Sequence, residues 1–263
     1  MLEITAAINA LGALLAVGFA GWLVSIGKRD VSIADSAWPL FFLLALVVYA
    51  STASTSVGSR GWLVLVLVAL WAIRLSGYIT SRNHGKPEDR RYQAMRQRNE
   101  PGFAWKSLYL VFGLQALLAW IIAAPLVFAV SGRRPLGWLD AAGVALWTFG
   151  FLFEAIGDAQ LARFRADPAN GDKVMNRGLW RYTRHPNYFG EACLWWGYWL
   201  VAIAGGGLWT VFAPLLMTVL LLKVSGVALL ERDIAERRPD YRDYIARTNA
   251  FIPGPPRVEG GGR

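Results

Sequence analysis

The chain has 263 residues, of which 55% are hydrophobic and only 17% are charged, and its formal net charge is +9. Soluble domains carry about a quarter charged residues, so this composition, with a mean hydropathy of +0.36, excludes a disordered chain and argues against an ordinary soluble enzyme. The single cysteine, Cys193, excludes an intramolecular disulfide. In so apolar a chain, a basic excess is more typical of loops on one side of a membrane than of nucleic-acid binding.

Seven apolar stretches come close to the roughly 20 residues that a helix needs to cross a bilayer. In chain order they are Ile4–Ile26, Ser32–Ala50, Gly61–Thr80, Trp105–Val130, Gly137–Leu161, Asn187–Ala204 and Leu208–Leu230. The sequence therefore predicts an all-α polytopic membrane protein with seven transmembrane helices.

The loop charges predict the orientation of these helices. One alternating set of loops, comprising 28–29, 82–106, 163–184 and 232–263, holds 22 of the 27 basic residues, whereas the opposite set holds Arg60, Arg133 and Arg134. Loops rich in Lys and Arg face the cytoplasm. We therefore expect the N-terminus outside and the C-terminus in the cytoplasm, as an odd number of crossings requires.

Acidic residues inside the fifth stretch are not explained by orientation. Glu154, Asp158 and Arg165 are spaced i, i+4 and i+11, which places them on one helical face. An ionisable group at membrane depth is costly and usually faces a polar cavity or a charged partner. The face therefore indicates either a polar site that continues into the following loop or a structural ion pair with Lys223 or Arg163.

The segment Gly178–Glu191 reads GLWRYTRHPNYFGE. Proline suits the first turn of a helix, so we expect the sixth helix to begin near Pro186 with its positive dipole end facing the basic loop. The start of such a helix, beside Arg181, Arg184 and His185, is typical of an anion site.

Asn187 and Glu191 lie one helical turn apart, directly after this start. A polar pair beneath an anion site would suit an amide-bearing ring attached to a pyrophosphate. An interfacial belt of basic and aromatic residues is the alternative, but such a belt leaves Glu191 unexplained. Two histidines and one cysteine form no recognisable metal-binding pattern, so we expect no metal site.

This segment resembles the signature of the steroid 5-alpha-reductase family and its bacterial membrane relatives. The Glu154–Arg165 face and the tail from Asp243 to Pro253 extend the resemblance. Sterol reductases and isoprenylcysteine carboxyl methyltransferases have related versions of the RHPNY-x-GE core. The resemblance implies a seven-helix reductase that holds NADPH in a cytoplasm-facing cavity and admits a lipid-like enone from the bilayer.

The resemblance also implies residue roles. Asn187 and Glu191 would hold the nicotinamide end of the cofactor. The other cofactor-binding positions that it implies are Glu154, Asp158, Arg165, Lys173, Tyr182, Arg184, His185, Glu231 and Tyr244.

In the family, an acidic residue on the second span and a tyrosine on the third serve the substrate carbonyl. The acidic match is Asp35, whereas Trp71 stands in place of the tyrosine and Tyr78 lies further along the same helix. An indole N–H donates a hydrogen bond but is no practical acid. Asp35 could act while protonated in an apolar pocket, or it could simply pair with Lys28 or Arg29.

The expected function is NADPH-dependent reduction of the Δ4 double bond of a 3-oxo steroid or a similar hydrophobic enone. We expect one integral-membrane domain over 1–263, with substrate-side helices in 1–136, the cofactor-binding region in 137–253 and a flexible tail in 254–263. The expected setting is a monomer in the lipid of a bacterial inner membrane, without nucleic acid. The rivals are an S-adenosylmethionine-dependent methyltransferase of an isoprenylcysteine or lipid substrate, and a non-enzymatic lipid-binding or scaffold protein.

Overall fold

The computed structural model describes residues 2–52, 57–224, 227, 231 and 240–257, and every regular element within these residues is helical. The chain divides into two compact units. Unit 1 comprises Met1–Asp140 and Val201–Ala213, and unit 2 comprises Ala141–Leu200 and Pro214–Arg263. The single domain over 1–263 stays a prediction.

The described residues up to Ser131 form seven α-helices and one π-helix. They are α1 (Leu2–Lys28), α2 (Ile33–Thr52), α3 (Ser59–Asn83), α4 (Arg90–Asn99), α5 (Phe103–Ser107), the π-helix Leu108–Gly113, α6 (Leu114–Ile122) and α7 (Ala124–Ser131). The later elements are α8 (Trp138–Ala166), the 3₁₀ turns Pro168–Asn170, Gly178–Arg181 and Leu208–Val211, α9 (Pro186–Ala204), α10 (Phe212–Val219), the π-helix Leu220–Val224 and α11 (Tyr241–Arg247).

Five helical segments are long and apolar enough to cross a membrane, which indicates an integral membrane protein. They are Ile4–Lys28, Ile33–Thr52, Ser59–Asn83, Phe103–Ile122 and Trp138–Ala166, and they coincide with the first five predicted stretches. The sixth stretch forms α9. The seventh is helical over Leu208–Val224, and most of its remainder lies outside the described residues. The seven-span count and the orientation stay predictions.

The fourth stretch is shorter than the sequence predicts. We expected one helix over Trp105–Val130, but α6 ends at Ile122 and a new helix, α7, begins at Ala124. Pro125 is the cause, because proline lacks an N–H and is accommodated only in the first turn of a helix.

An aromatic cluster fills the core of unit 1 beside the α4 helix. Trp22 from α1, Phe103 from α5 and Phe112 from the π-helix pack with Tyr92, which is 6% exposed. Tyr92 therefore has its ring in an apolar core, and its hydroxyl is the polar end of a buried side chain.

Glycines let α8 and α9 pack closely within unit 2. A Cβ on Gly150 would lie 2.6 Å from the backbone nitrogen of Leu194, and a Cβ on Gly190 would lie 2.6 Å from that of Glu154. Gly197 approaches the carbonyl oxygen of Gly143 in the same way. The two helices are consequently antiparallel neighbours, and Glu154 is placed directly beside the first turns of α9.

A buried ion pair joins the start of α3 to the first turn of α8. Arg60 and Asp140 are each 2% exposed, and the guanidinium Nε and Nη2 donate to the carboxylate oxygens at 2.7 and 2.9 Å. The carbonyl oxygens of Arg134 and Pro135 accept from the same guanidinium at 3.1 Å. Both charges are therefore satisfied within unit 1, which is the condition for burying them.

We expect Arg60→Met to lower the free energy of unfolding by about 3–5 kcal/mol, because it leaves the Asp140 carboxylate buried without its counter-charge. Arg60→Met combined with Asp140→Leu should recover most of this loss. Thermal unfolding of the detergent-purified protein measures both, with Arg134→Met as a control on an exposed arginine. A double variant as unstable as the single one would contradict the pairing argument.

Candidate functional site

The start of α9 is held by an ion cluster in unit 2. Arg184 donates from Nε and Nη2 to the two carboxylate oxygens of Glu231 at 2.6 and 2.8 Å. The His185 Nε2 lies 2.9 Å from Glu231 Oε1. Burial opposes ionisation of Glu231, but the hydrogen bonds from His185 and Arg184 prevail and lower its pKa to about 2. This carboxylate is therefore charged at neutral pH.

The Arg184 guanidinium also binds the C-terminal segment. Its Nη1 donates to the carbonyl oxygens of Ile245 and Thr248, so all three nitrogens of this side chain have protein acceptors. We expected Arg184 and His185 to contact an anionic cofactor. In the structure both side chains contact Glu231, which neutralises the arginine charge, and their cofactor-binding role stays a prediction.

The tail lies against the start of α9 through backbone groups. The Arg184 amide donates to Asn249 O at 2.9 Å, and the Thr183 hydroxyl donates to Phe251 O at 2.8 Å. The Tyr244 hydroxyl donates to the carbonyl oxygen of Trp180. The tail and the signature segment therefore hydrogen-bond each other.

The 3₁₀ turn before α9 is anchored on α8. The Leu179 amide donates to Gln160 Oε1 and the Trp180 indole donates to Gly157 O, both at 3.0 Å. Gly178 has φ +58°, and a Cβ there would overlap the Gln160 amide. Glycine is favoured at this position, because the left-handed conformation strains other residues and a Cβ would force the Gln160 side chain to move.

A cavity of about 750 Å³ opens beside this turn, entirely within unit 2. Its volume is within the roughly 300–1,000 Å³ that is typical of ligand sites. Four of the described residues that line it are basic and two are acidic, so its charge balance favours an anion. The basic residues are Lys173, Arg177, Arg181 and Arg247, and the acidic ones are Asp240 and Asp243.

The implied cofactor-binding residues fall into three groups. The first comprises Lys173 and Tyr244, which line the cavity, together with Arg165 and Tyr182, which are exposed outside its lining. The second group, Glu154, Asp158, Asn187 and Glu191, lies on α8 and α9, and its three carboxyl side chains are buried. The third group is the Arg184, His185 and Glu231 cluster.

Asn187 has an unusual environment. Its Oδ1 atom is buried and accepts no hydrogen bond from any residue that the structure describes. A buried polar atom without a hydrogen-bond partner is rare. It indicates a position that is strained, takes part in catalysis or binds a water, an ion or a ligand.

A second polar centre lies in unit 1, around Asp35 on α2. Arg91 donates to Asp35 Oδ2 at 2.5 Å, and the Tyr92 hydroxyl donates to Oδ1 at 2.6 Å. Asp89 also pairs with Arg91, at 2.9 Å. Asp35 was expected either to act while protonated or to pair with Lys28 or Arg29. The structure pairs it with Arg91 instead. An ion-paired carboxylate accepts hydrogen bonds and does not donate them.

The other catalytic candidates lie on α3. Trp71 is fully buried and its ring lies 5.7 Å from that of Phe42, and Tyr78 is half-buried. Sequence reasoning missed Tyr92, and it did not include the cavity arginines, Arg177 and Arg181, among the cofactor-binding residues, although Arg181 belongs to the expected anion site. The signal for Tyr92 is its place after Glu88-Asp89-Arg90-Arg91, a charged segment that a loop places beside the second span.

Fold and site together define a helical membrane protein with a cation-lined cavity in one unit and an acid–tyrosine centre in the other. The chain belongs to the family described as protein of unknown function DUF1295, whose model matches residues 21–248. This is a family of membrane-associated proteins. A relative in Schizosaccharomyces pombe (strain 972 / ATCC 24843), "Uncharacterized protein C594.04c", is 27% identical over 265 residues, which cover 88% of this chain and 75% of the relative. No solved structure matches the chain.

The Glu231 cluster predicts a specific pH dependence of stability. Because the pKa of Glu231 falls from 4.5 to about 2 on folding, its contribution is complete above pH 4.5 and is lost as the pH falls toward 2. We expect Glu231→Gln to reduce the free energy of unfolding at neutral pH by no more than about 3 kcal/mol, and this difference should shrink with acidification. Chemical unfolding in detergent across this range measures it.

The control is Asp172→Asn, which changes an exposed carboxylate in the same unit and should give no such pH-dependent difference. A wild-type-to-Gln difference that stays constant between pH 4.5 and 2 would contradict the assignment of this charge pair.

Proposed function

We propose that this protein is an NADPH-dependent membrane reductase of the conjugated C=C bond of a 3-oxo steroid or a similar hydrophobic enone. The proposal includes seven spans, an external N-terminus and a cofactor site that faces the cytoplasm, as the loop charges predict. It rests on the resemblance in the signature segment and on the chemistry of the described residues.

The cation-lined cavity is the observation that carries this proposal. Lys173, Arg177, Arg181 and Arg247 surround a space of about 750 Å³, and arginine is suited to bidentate contacts with phosphate oxygens. NADPH brings three phosphate groups. S-adenosylmethionine, the cofactor of the rival methyltransferase reaction, has no phosphate group, and its one carboxylate and its sulfonium cation suit four basic neighbours less well than three phosphates do.

Asn187 and Glu191 fit the nicotinamide end. The buried Asn187 Oδ1 lacks a donor among the described residues, and a carboxamide NH₂ group is a donor of the right kind. Glu191, one turn further along α9 and 8% exposed, supplies a second acceptor. These two side chains would hold the ring, while the cavity arginines would hold the phosphates.

The reaction requires a hydride donor and an acid. Reduced nicotinamide supplies the hydride to the β-carbon of the enone. The developing enolate oxygen requires a proton donor, and Tyr92 is the candidate in unit 1, because its partner Asp35 is ion-paired with Arg91 at 2.5 Å. The Tyr92 hydroxyl donates to Asp35 Oδ1, and to act as the acid it exchanges this hydrogen bond for one to the enolate oxygen.

The first test is enone-dependent oxidation of NADPH by the purified protein. We expect NADPH absorbance to fall only when an enone such as progesterone or testosterone is present. Asn187→Ala and Glu191→Gln should each reduce this rate at least about ten-fold, since each removes a hydrogen bond to the reacting ring. Arg181→Gln should raise the Kd for NADPH about five-fold through loss of a phosphate contact.

Cys193→Ser, on the same helix as Asn187, and Arg163→Gln, an exposed arginine outside the cavity lining, are the matched controls. If Asn187→Ala and Glu191→Gln both leave the rate unchanged, the cofactor site is wrong. Tight S-adenosylhomocysteine binding without affinity for NADPH would establish the methyltransferase instead, and failure to bind any nucleotide would favour the lipid-binding or scaffold reading.

The second test concerns the proton donor. Tyr92→Phe removes the hydroxyl but keeps the ring in the aromatic core, so we expect kcat to fall about 10²–10⁴-fold with an unchanged Kd for NADPH. Tyr78→Phe and Trp71→Phe distinguish the α3 candidates. A rate that depends on Tyr78 or Trp71 and not on Tyr92 would move the acid to the third helix.

A further inference from the structure

Gln115 is a half-buried polar side chain in unit 1 that the reaction described above does not use. It lies in the first turn of α6, directly after the π-helix Leu108–Gly113. Its amide Nε2 lies 3.3 Å from the Tyr92 hydroxyl oxygen. Its Oε1 is buried and accepts no hydrogen bond within the described part of the chain. An unsatisfied amide oxygen at this depth is costly, so the orientation of the amide needs a cause.

The direction of the hydrogen-bond chain supplies that cause. Asp35 is ion-paired with Arg91, and an ionised carboxylate only accepts hydrogen bonds. The single phenolic hydrogen of Tyr92 therefore points to Asp35 Oδ1, 2.6 Å away. The phenol oxygen is left with lone pairs toward Gln115, so the NH₂ group, rather than Oε1, has to face it. Burial of Gln115 Oε1 is thus the consequence of placing a donor on Tyr92.

That donor has a larger effect on the phenolate than on the phenol. A hydrogen bond to a charged oxygen is roughly twice as strong as one between neutral groups. Burial and then the Asp35 charge raise the pKa of Tyr92 well above its usual value, with Asp89 adding to this and Arg91 opposing it. The neighbours from α1, α5 and the π-helix in the core cluster are apolar. Gln115 is therefore a neutral group that, together with the Arg91 charge, favours proton release from a phenol whose burial and acidic neighbours resist it.

We propose that Gln115 is a positioning residue for Tyr92: its amide donates to the phenol oxygen and stabilises the phenolate that forms when the Tyr92 proton leaves its hydrogen bond to Asp35 and passes to the substrate oxygen. This inference rests on the proposed reductase function. It adds a residue from a third helical segment to the Asp35 centre, and it gives the wide π-turn before α6 a purpose, since that turn sets where Gln115 lies on the helix.

The test uses Gln115→Met, which keeps the length and volume of the side chain but removes the donor. Leu117→Met, an exposed leucine on the same helix, is the matched control, and thermal unfolding of the full-length variants checks that both remain folded. Two measurements follow: steady-state kinetics with NADPH and an enone, and ¹⁹F NMR titration of a polyfluorinated tyrosine placed at position 92, whose greater acidity brings the phenol into a measurable range.

We expect Gln115→Met to lower kcat about ten-fold with KM changed less than two-fold. The pKa of the fluorinated phenol should rise by about one unit, and the alkaline limb of the kcat profile should shift in the same direction. Leu117→Met should change neither quantity. The split between kcat and KM separates this role from simple packing, because a packing defect has no reason to move the phenol pKa.

An unchanged phenol pKa in Gln115→Met overturns the inference whether or not the protein turns over an enone. A raised pKa with an unchanged kcat also overturns it, because the hydrogen bond would then have no part in the reaction. A raised pKa in a wild-type protein that reduces no enone supports the Gln115–Tyr92 coupling and counts against the proposed function alone.

Discussion

A charge buried among apolar helices has to be paired, and this constraint determines much of the structure. The desolvation of an unpaired ion costs several kcal/mol even after relaxation, and lipid offers no partner. Three ion pairs meet the constraint at different places: Arg60 with Asp140, Asp35 with Arg91, and Arg184 with Glu231. Each joins segments far apart in sequence, so each fixes a part of the fold that hydrophobic burial, which has no direction, leaves undetermined.

The same constraint separates structural charges from those that are available to a ligand. Arg184 lies in the signature segment, yet each of its nitrogens already has a protein acceptor. Arg177 and Arg181 lie only a few residues away, but they are exposed at the edge of a cavity. Position within a motif therefore does not assign a role. Whether protein acceptors already bind a charged side chain is the better guide to its role. By this criterion, the expected phosphate contacts move from the start of α9 to the turn before α9.

The sequence predicts the helices far better than it predicts their partners. Apolar runs of about 20 residues are set by the composition of one segment, so the first five spans and the start of α9 at Pro186 followed from local patterns. The partner of Asp35 did not. Arg91 and Tyr92 lie more than fifty residues later, in a short polar helix that folds back on α2, and no periodicity encodes such a return. The sequence instead suggested Lys28 or Arg29 as the partner of Asp35, because they are close to it in the chain, whereas the structure pairs Asp35 with Arg91.

The π-helix Leu108–Gly113 has a consequence for how this segment can vary. An α-helix turns about 100° per residue, whereas a π-turn accommodates an additional residue within one turn. Removing one residue there would restore a regular helix and leave α6, with Gln115, in place, whereas removing a residue from a regular α-helical turn would rotate everything beyond it by about 100°. The π-helix is therefore the part of the stretch between Phe103 and Gln115 that tolerates the loss of one residue. Among relatives, a one-residue gap at the π-helix is compatible with the same acid–tyrosine centre, whereas a gap elsewhere in this stretch is not.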